Sequence, residues 1–191
     1  MRITNRNINR IIEYARYGRV VAFDTETTGM DKFDEICQIA AVEYVNGVRG
    51  RTFGVYLQPS CEMNPFAEAV HGLSMDFLSE HGIAPVEGMT RFFDFLGTGD
   101  MLLVAHNIRF DLRMARQECR KFGIQSDVSP FATCDTVALA RVLCPALPSY
   151  RLGRLIETLA IEGINSHDAL DDACACGSLF FHLIGSVPVL L

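Results

Sequence analysis

The chain is short of long apolar runs, of positive charge and of metal-type cysteine spacing. None of its apolar runs approaches the about 20 residues that a membrane-spanning helix needs. Met1 to Arg10 are polar and basic with no apolar core, so no secretory signal is expected there. Positive charge is in short supply: 17 Lys and Arg face 23 Asp and Glu, for a net charge of −6. That deficit excludes a protein that holds nucleic acid by a broad basic surface. It does not exclude an enzyme acting on phosphate esters, where metal ions supply the local positive charge and the protein supplies carboxylates. The seven cysteines are odd in number and show no zinc-ligand spacing. Cys174-Ala175-Cys176 has one residue between its thiols and no partner pair elsewhere. Reduced thiols in a cytoplasmic protein are the expectation. Internal repeats, low-complexity runs and long linkers are absent as well. One domain is therefore expected over 19–191, preceded by an amphipathic helix within 1–18.

What is present is an ordinary globular balance, 49% hydrophobic and 21% charged over 191 residues, enough for a full core. Ile8, Ile11, Ile12 and Ala15 recur at helical spacing and Gly18 stops them, which predicts a helix over 5–17. A strand follows at 19–25. Apolar runs at 36–45 and 48–57 flank Asn46-Gly47, a two-residue hairpin signal. Residues 58–100 read as mostly helical, broken at Pro59, Pro65, Gly72, Gly82, Pro85 and Gly97. A short buried strand, Met101 to Ala105, leads to helices at 108–122, 134–143, 151–161 and 168–184. The pattern describes an α/β fold with a mixed central sheet, opened by a hairpin and flanked by helices.

The chemistry is carried by acids in places where acids are costly. Asp24-Thr-Glu-Thr-Thr-Gly29 follows the apolar run Val20 to Phe23. Strand alternation puts Val20, Ala22, Asp24 and Glu26 on one face, so two carboxylates share the end of an apolar stripe. Taken alone, that hexapeptide reads first as an acidic hairpin tip; the rest of the chain changes that reading. In the 108–122 segment Arg109, Arg113, Arg116 and Arg120 form one stripe, read as a solvated face in preference to a phosphate patch. Leu112, Ala115, Cys119 and Phe122 form the apolar stripe, and Asp111 falls on its side. In the last helix Ala169, Asp172, Cys176 and Leu183 face inward, whereas Asp168, Asp171, Ser178 and His182 face out. A buried carboxylate needs a partner or a metal. The helix offers no Lys or Arg to Asp172, which leaves a distant Arg151 or Arg154 as the alternative to a metal. Four inward acids from three elements fit oxygen-liganded Mg²⁺ or Mn²⁺ better than zinc, with two ions as the form suited to phosphoryl displacement. His167, five residues before Asp172, is placed to take a proton from water. Among the other histidines, His71 is a candidate to line the site, His106 to hold a loop, and His81 and His182 to lie at the surface.

These residues fall in a known order. Asp-Thr-Glu-Thr-Thr-Gly (24–29), Val-His-Gly-Leu-Ser (70–74), Ala-His-Asn-Ile-Arg-Phe-Asp (105–111) and His-Asp-Ala-Leu-Asp-Asp-Ala (167–173) resemble the motifs of the DEDD exonuclease superfamily. The likeness is to its His-containing branch, that of the proofreading epsilon subunits of bacterial DNA polymerase III, and covers roughly 19–184. It implies a ribonuclease H-like fold and a two-metal 3′–5′ exonuclease that releases 5′-mononucleotides from single-stranded DNA. Carried onto this chain, Asp24, Glu26 and Asp172 would ligate the tightly held ion. Asp24 would bridge to a second, which Asp111 reaches through water, and His167 would be the general base. The main chain around Thr25, Thr27 and Thr28, with His71 and Asn107, would contact the 3′-terminal nucleotide.

Three features depart from the pattern. Gln38 stands where many relatives place a Glu, the helix before the first strand is extra, and little chain follows the last helix to reach a polymerase. A stand-alone nuclease and a partner of a polymerase catalytic subunit are both consistent with this. The core motifs are also shared with exoribonucleases of the ribonuclease T and oligoribonuclease kind, since sugar choice depends on contacts near the 3′ ribose. A catalytically silent domain that binds nucleic acid or a polymerase is a reading of another class. The filled catalytic positions argue against it.

Overall fold

Val20 to Phe23 form an unbroken apolar run between Arg19 and Asp24, which marks a strand covered on both faces. In the computed structural model, which describes residues 5–126, 128 and 131–187, this segment is β1 (Arg19–Thr27), the middle strand of a five-stranded sheet. Residues 1–4 of the polar N-terminal stretch and 188–191 of the expected domain lie outside the described residues. β1 pairs antiparallel with β2 (Ile36–Val45), which pairs antiparallel with β3 (Val48–Tyr56). The β2–β3 turn is Asn46-Gly47 as expected, with φ of 52° and 78°, the left-handed pair that a type I′ turn needs. On its other side β1 runs parallel to β4 (Leu102–Ala105), and β4 parallel to β5 (Ala132–Asp135), giving the order β3-β2-β1-β4-β5.

Eight helices are described: α1 (Asn5–Tyr17), α2 (Pro65–His71), α3 (Met75–His81), α4 (Pro85–Leu96), α5 (Arg109–Phe122), α6 (Thr136–Leu143), α7 (Leu152–Thr158) and α8 (Ala169–Gly185). The sheet divides two cores. Val20, Ala22, Val42, Leu102 and Val104 pack with Ala173, Cys176, Leu179 and Phe180 of α8. Val21, Phe23, Ile39, Ala41 and Leu103 pack with Phe92 of α4 and Met114 and Ala115 of α5. α8 lies very close to the sheet because Gly177 meets Tyr44; a Cβ there would sit 2.3 Å from the Tyr44 hydroxyl. α1 belongs to the α8 side of the core, where Ile11, Tyr14 and Ala15 are buried and the Tyr14 hydroxyl donates to Asp100 at 2.6 Å.

Two elements differ from expectation. The helix predicted from 134 begins at Thr136, because Ala132 to Asp135 form β5. Its four residues are too few to show a period, and Asp135 is the N-cap that starts the helix, accepting from the Val137 N–H. The helix predicted over 151–161 ends at Thr158, where the chain leaves helical geometry ahead of Ala160 at φ 50°.

Candidate active site

β1 extends past its last pairing with β4, Ala22 to Val104, so Asp24 and Glu26 project beyond the end of the parallel pair. The crevice at the carboxyl ends of such strands is where open α/β sheets bind ligands. Asp111 arrives from the first turn of α5 and is 2% exposed, its Oδ1 accepting from the Thr25 hydroxyl at 2.9 Å. Asp172 arrives from the first turn of α8 and is 5% exposed. It accepts from the Asn165 side-chain amide and, at 3.1 Å, from the Ser166 N–H. No Lys or Arg pairs with any of the four acids among the described residues. Arg154, one alternative partner for Asp172, pairs with Glu157 at 2.8 Å instead.

The unpaired acids disturb one another. Burial first, and then the charges of Asp111, Glu26 and Asp172, hold the Asp24 carboxyl well above the usual carboxylate range. Burial, with Asp172 and Asp111 beside it, pushes Glu26 up to about 8. Burial lifts Asp111 to about 7 against the opposing Thr25 hydrogen bond, and raises Asp172 against the Asn165 bond. A cluster that resists ionisation fits divalent cations, which would supply the missing charge. Carboxylate oxygens of Glu26 and Asp172 and a ring nitrogen of His167 all lie within 4.8 Å of one another. Ligands on opposite sides of Mg²⁺ stand about 4.2 Å apart, so this donor set needs only a slight contraction to hold an ion. His167 is exposed and has φ of 60°, a left-handed backbone that a non-glycine residue rarely adopts.

The N-terminus of α8 is fixed by a residue the sequence reading discounted. Gln38 donates from Nε2 to Asp168 at 2.7 Å and accepts from the Ala169 N–H at 3.0 Å. Asp168 caps α8 through the Leu170 and Asp171 N–H groups. It therefore does not lie on the outer side as helical phase predicted, because a capping residue sits outside the helical repeat. Asp171 is exposed as expected.

These groups open on a cleft of about 1170 Å³ lined by Asp24, Thr25, Glu26, Asn107, His167 and Asp172 on one side. Thr25 and Asn107 thus line it as expected; Thr27, Thr28 and His71 do not. Thr28 is buried, and its main-chain N–H and C=O are taken by Glu35 and Asn64. The Thr27 hydroxyl donates to the Gly29 carbonyl. His71 accepts at Nδ1 from the Leu73 N–H and so donates from Nε2 to the Thr27 carbonyl at 3.2 Å. Burial lowers its basicity in keeping with that neutral state. His106 holds a loop, as anticipated, between Thr136 Oγ1 and the Tyr150 carbonyl, each at 2.9 Å. A second bank of the lining, supplied by α6, α7 and the residues just before them, carries Arg141, Arg151 and Arg154 beside Asp135 and Glu157; the sequence singled out only Arg151 and Arg154, and for another role. Asn165 also escaped notice; the one available signal was a side-chain amide two residues before His167 in a stretch without helical period.

The chain is similar to known exonucleases. The exonuclease family model, RNase_T, matches residues 21–180. The 3′-5′ exonuclease DinG of Bacillus subtilis is 34% identical over 87% of this chain and 18% of its own length. The DNA polymerase III subunit epsilon of Rickettsia conorii is 32% identical over 87% of this chain and 74% of its own. The chain spans only about a tenth to a fifth of the length of several relatives it matches. Among solved structures, a zinc-ion-bound complex of E. coli exonuclease I with single-stranded DNA superposes with a TM-score of 0.74. It is 23% identical and covers 86% of this chain and 40% of that one, a likeness of fold. The fold is the ribonuclease H-like one expected, and the chain belongs to the exonuclease family.

Proposed function

We propose that the protein is a metal-dependent 3′–5′ exonuclease that removes 5′-mononucleotides from the 3′ ends of single-stranded DNA. The observation that carries this reading is the set of four carboxylates from three elements, unpaired by any Lys or Arg among the described residues, at one end of the sheet. Relatives named as a 3′-5′ exonuclease and as a polymerase III epsilon subunit support the direction and the proofreading or repair setting. Asp24, Glu26, Asp111 and Asp172 would hold the two Mg²⁺ or Mn²⁺ ions, with Asp24, Glu26 and Asp172 serving the tightly held one. When bound, the two ions stabilise charge on the attacking and leaving oxygens. The chain's own part is positional. Asn165 and the Ser166 N–H fix the Asp172 carboxylate, Thr25 fixes Asp111, and Gln38 ties the α8 terminus to β2. His167, exposed at the cleft, takes the proton of the attacking water.

The test is release of mononucleotides from end-labelled oligonucleotides with Mg²⁺ or Mn²⁺. Asp24→Ala and Asp172→Ala should each lower the rate by about 10³-fold or more, in line with loss of a principal electrostatic group. Full activity in either variant excludes the site. Paired DNA and RNA strands of equal length decide between this substrate and RNA. A second reading of His167 is favoured by its place within 4.8 Å of the Glu26 and Asp172 oxygens, as a ligand instead of a base.

A further inference from the structure

The acids explain where the bond is cut but not how a polyanion stays in an acidic cleft on a protein of net charge −6. The cleft is larger than the pockets of about 300–1,000 Å³ that enclose small ligands, so it has room for more than the terminal nucleotide. The bank of its lining supplied by α6, α7 and the residues just before them carries three arginines beside Asp135 and Glu157. Arg141 comes from the last turn of α6, Arg151 is the extended residue that precedes α7, and Arg154 lies in the first turn of α7. All three are exposed. Among the described residues Arg154 is held only by the surface pair with Glu157, an interaction worth little in water. The Arg151 guanidinium has no side-chain partner among the described residues. The Arg141 guanidinium carbon stands 5.4 Å from the centroid of the Tyr150 ring.

The bank is also fastened to the catalytic scaffold. Tyr150 closes its own loop by donating to the Cys144 carbonyl at 3.0 Å. The carbonyl of Tyr150, just before Arg151, accepts from His106 Nε2 at 2.9 Å. His106 directly follows β4 and leads to Asp111. One imidazole therefore sets the spacing between the arginines and the acids.

We infer that Arg141, Arg151 and Arg154 bind backbone phosphates of the substrate strand on the 5′ side of the scissile bond, with His106 as the positioning residue that fixes this bank against the acids. The inference rests on the exonuclease reading above. Planar guanidinium forks suit phosphate oxygens, and they pull the strand across the cleft while its 3′ end meets the acids.

The experiment compares two substrates with Mn²⁺ present: a single-stranded DNA oligonucleotide and the p-nitrophenyl ester of thymidine 5′-monophosphate, which has no upstream phosphate. Each Arg→Gln variant should raise KM for the oligonucleotide with a smaller effect on kcat. Each should also reduce the slope of log kcat/KM against log salt by about 0.7. The triple variant should lose about 10²-fold or more in kcat/KM on the oligonucleotide, and several-fold less on the ester. His106→Ala should show the same split and His106→Gln, which keeps a donor for the Tyr150 carbonyl, should recover most of it. Equal losses on both substrates, or an unchanged salt slope in the triple variant, would overturn the inference. Wild-type protein that cleaves neither substrate defeats the exonuclease reading itself, a distinct outcome.

Discussion

Asp24 and Glu26 are two residues apart on one strand, so their charges share a face whatever rotamers they choose. The consequence for His167 is direct. A general base and a metal ligand fail differently when removed. His167→Ala should lower kcat by about 10²–10⁴-fold with Mn²⁺ affinity kept, as read by calorimetric titration; collapse of affinity would make His167 a ligand. A second acid, Glu118, is buried for structural reasons. Its Oε2 accepts from the Ile36 N–H, its Oε1 has no partner, and burial pushes it up to about 7. Because the folded value lies above the unfolded one, the stability Glu118 contributes is full below about pH 4.5 and is lost as pH rises to about 7. Glu118→Gln should therefore melt higher than wild type at pH 8 by on the order of 1–3 kcal/mol and equally at low pH. Identical pH slopes in a melting series would refute the assignment.

At the scale of elements, the site is an agreement between termini. β1 brings two acids, the start of α5 one and the start of α8 another, and each terminus is held by a side chain from elsewhere: Thr25 for α5, Asn165 and Gln38 for α8. Gln38 matters because it both donates and accepts. Gln38→Glu retains the acceptor for the Ala169 N–H but sets a carboxylate against Asp168, where a donor now sits at 2.7 Å. The expected result is a loss of about 1–3 kcal/mol at pH 8, recovered in acid, together with lower kcat as α8 shifts Asp172. A variant that melts like wild type and turns over normally would show that Gln38 does not position the helix. The inward phase of Asp111 and Asp172 was legible because α5 and α8 are long enough for the 3.6 period to separate faces. Asp168 was misplaced because a cap has no phase, and β5 was missed because four residues have no period.

For the whole molecule the acid cluster is a liability that cations should relieve. With Glu26 raised to about 8 and Asp111 to about 7, folded pKa values exceed unfolded ones, so the metal-free protein loses stability as pH rises from about 4 to 8. Mn²⁺ favours the ionised acids and should raise the melting temperature more at pH 8 than at pH 5. Asp24→Asn should weaken both the pH slope and the cation effect. An equal Mn²⁺ shift in wild type and Asp24→Asn would place the ions elsewhere.

The sequence alone determined the periodic features: the hairpin at Asn46-Gly47, the pairing of Asp24 with Glu26, and the inward phase of Asp111 and Asp172. Each follows from backbone geometry that repeats every two or 3.6 residues, which a chain of side chains displays without being folded. Only the tertiary structure decided that Gln38 clamps Asp168 across 130 positions, that His106 ties Tyr150 to β4, and that Arg141 stands with Arg151 and Arg154 on one bank of the cleft. Such contacts depend on how separate elements pack against the sheet, and no local period encodes them.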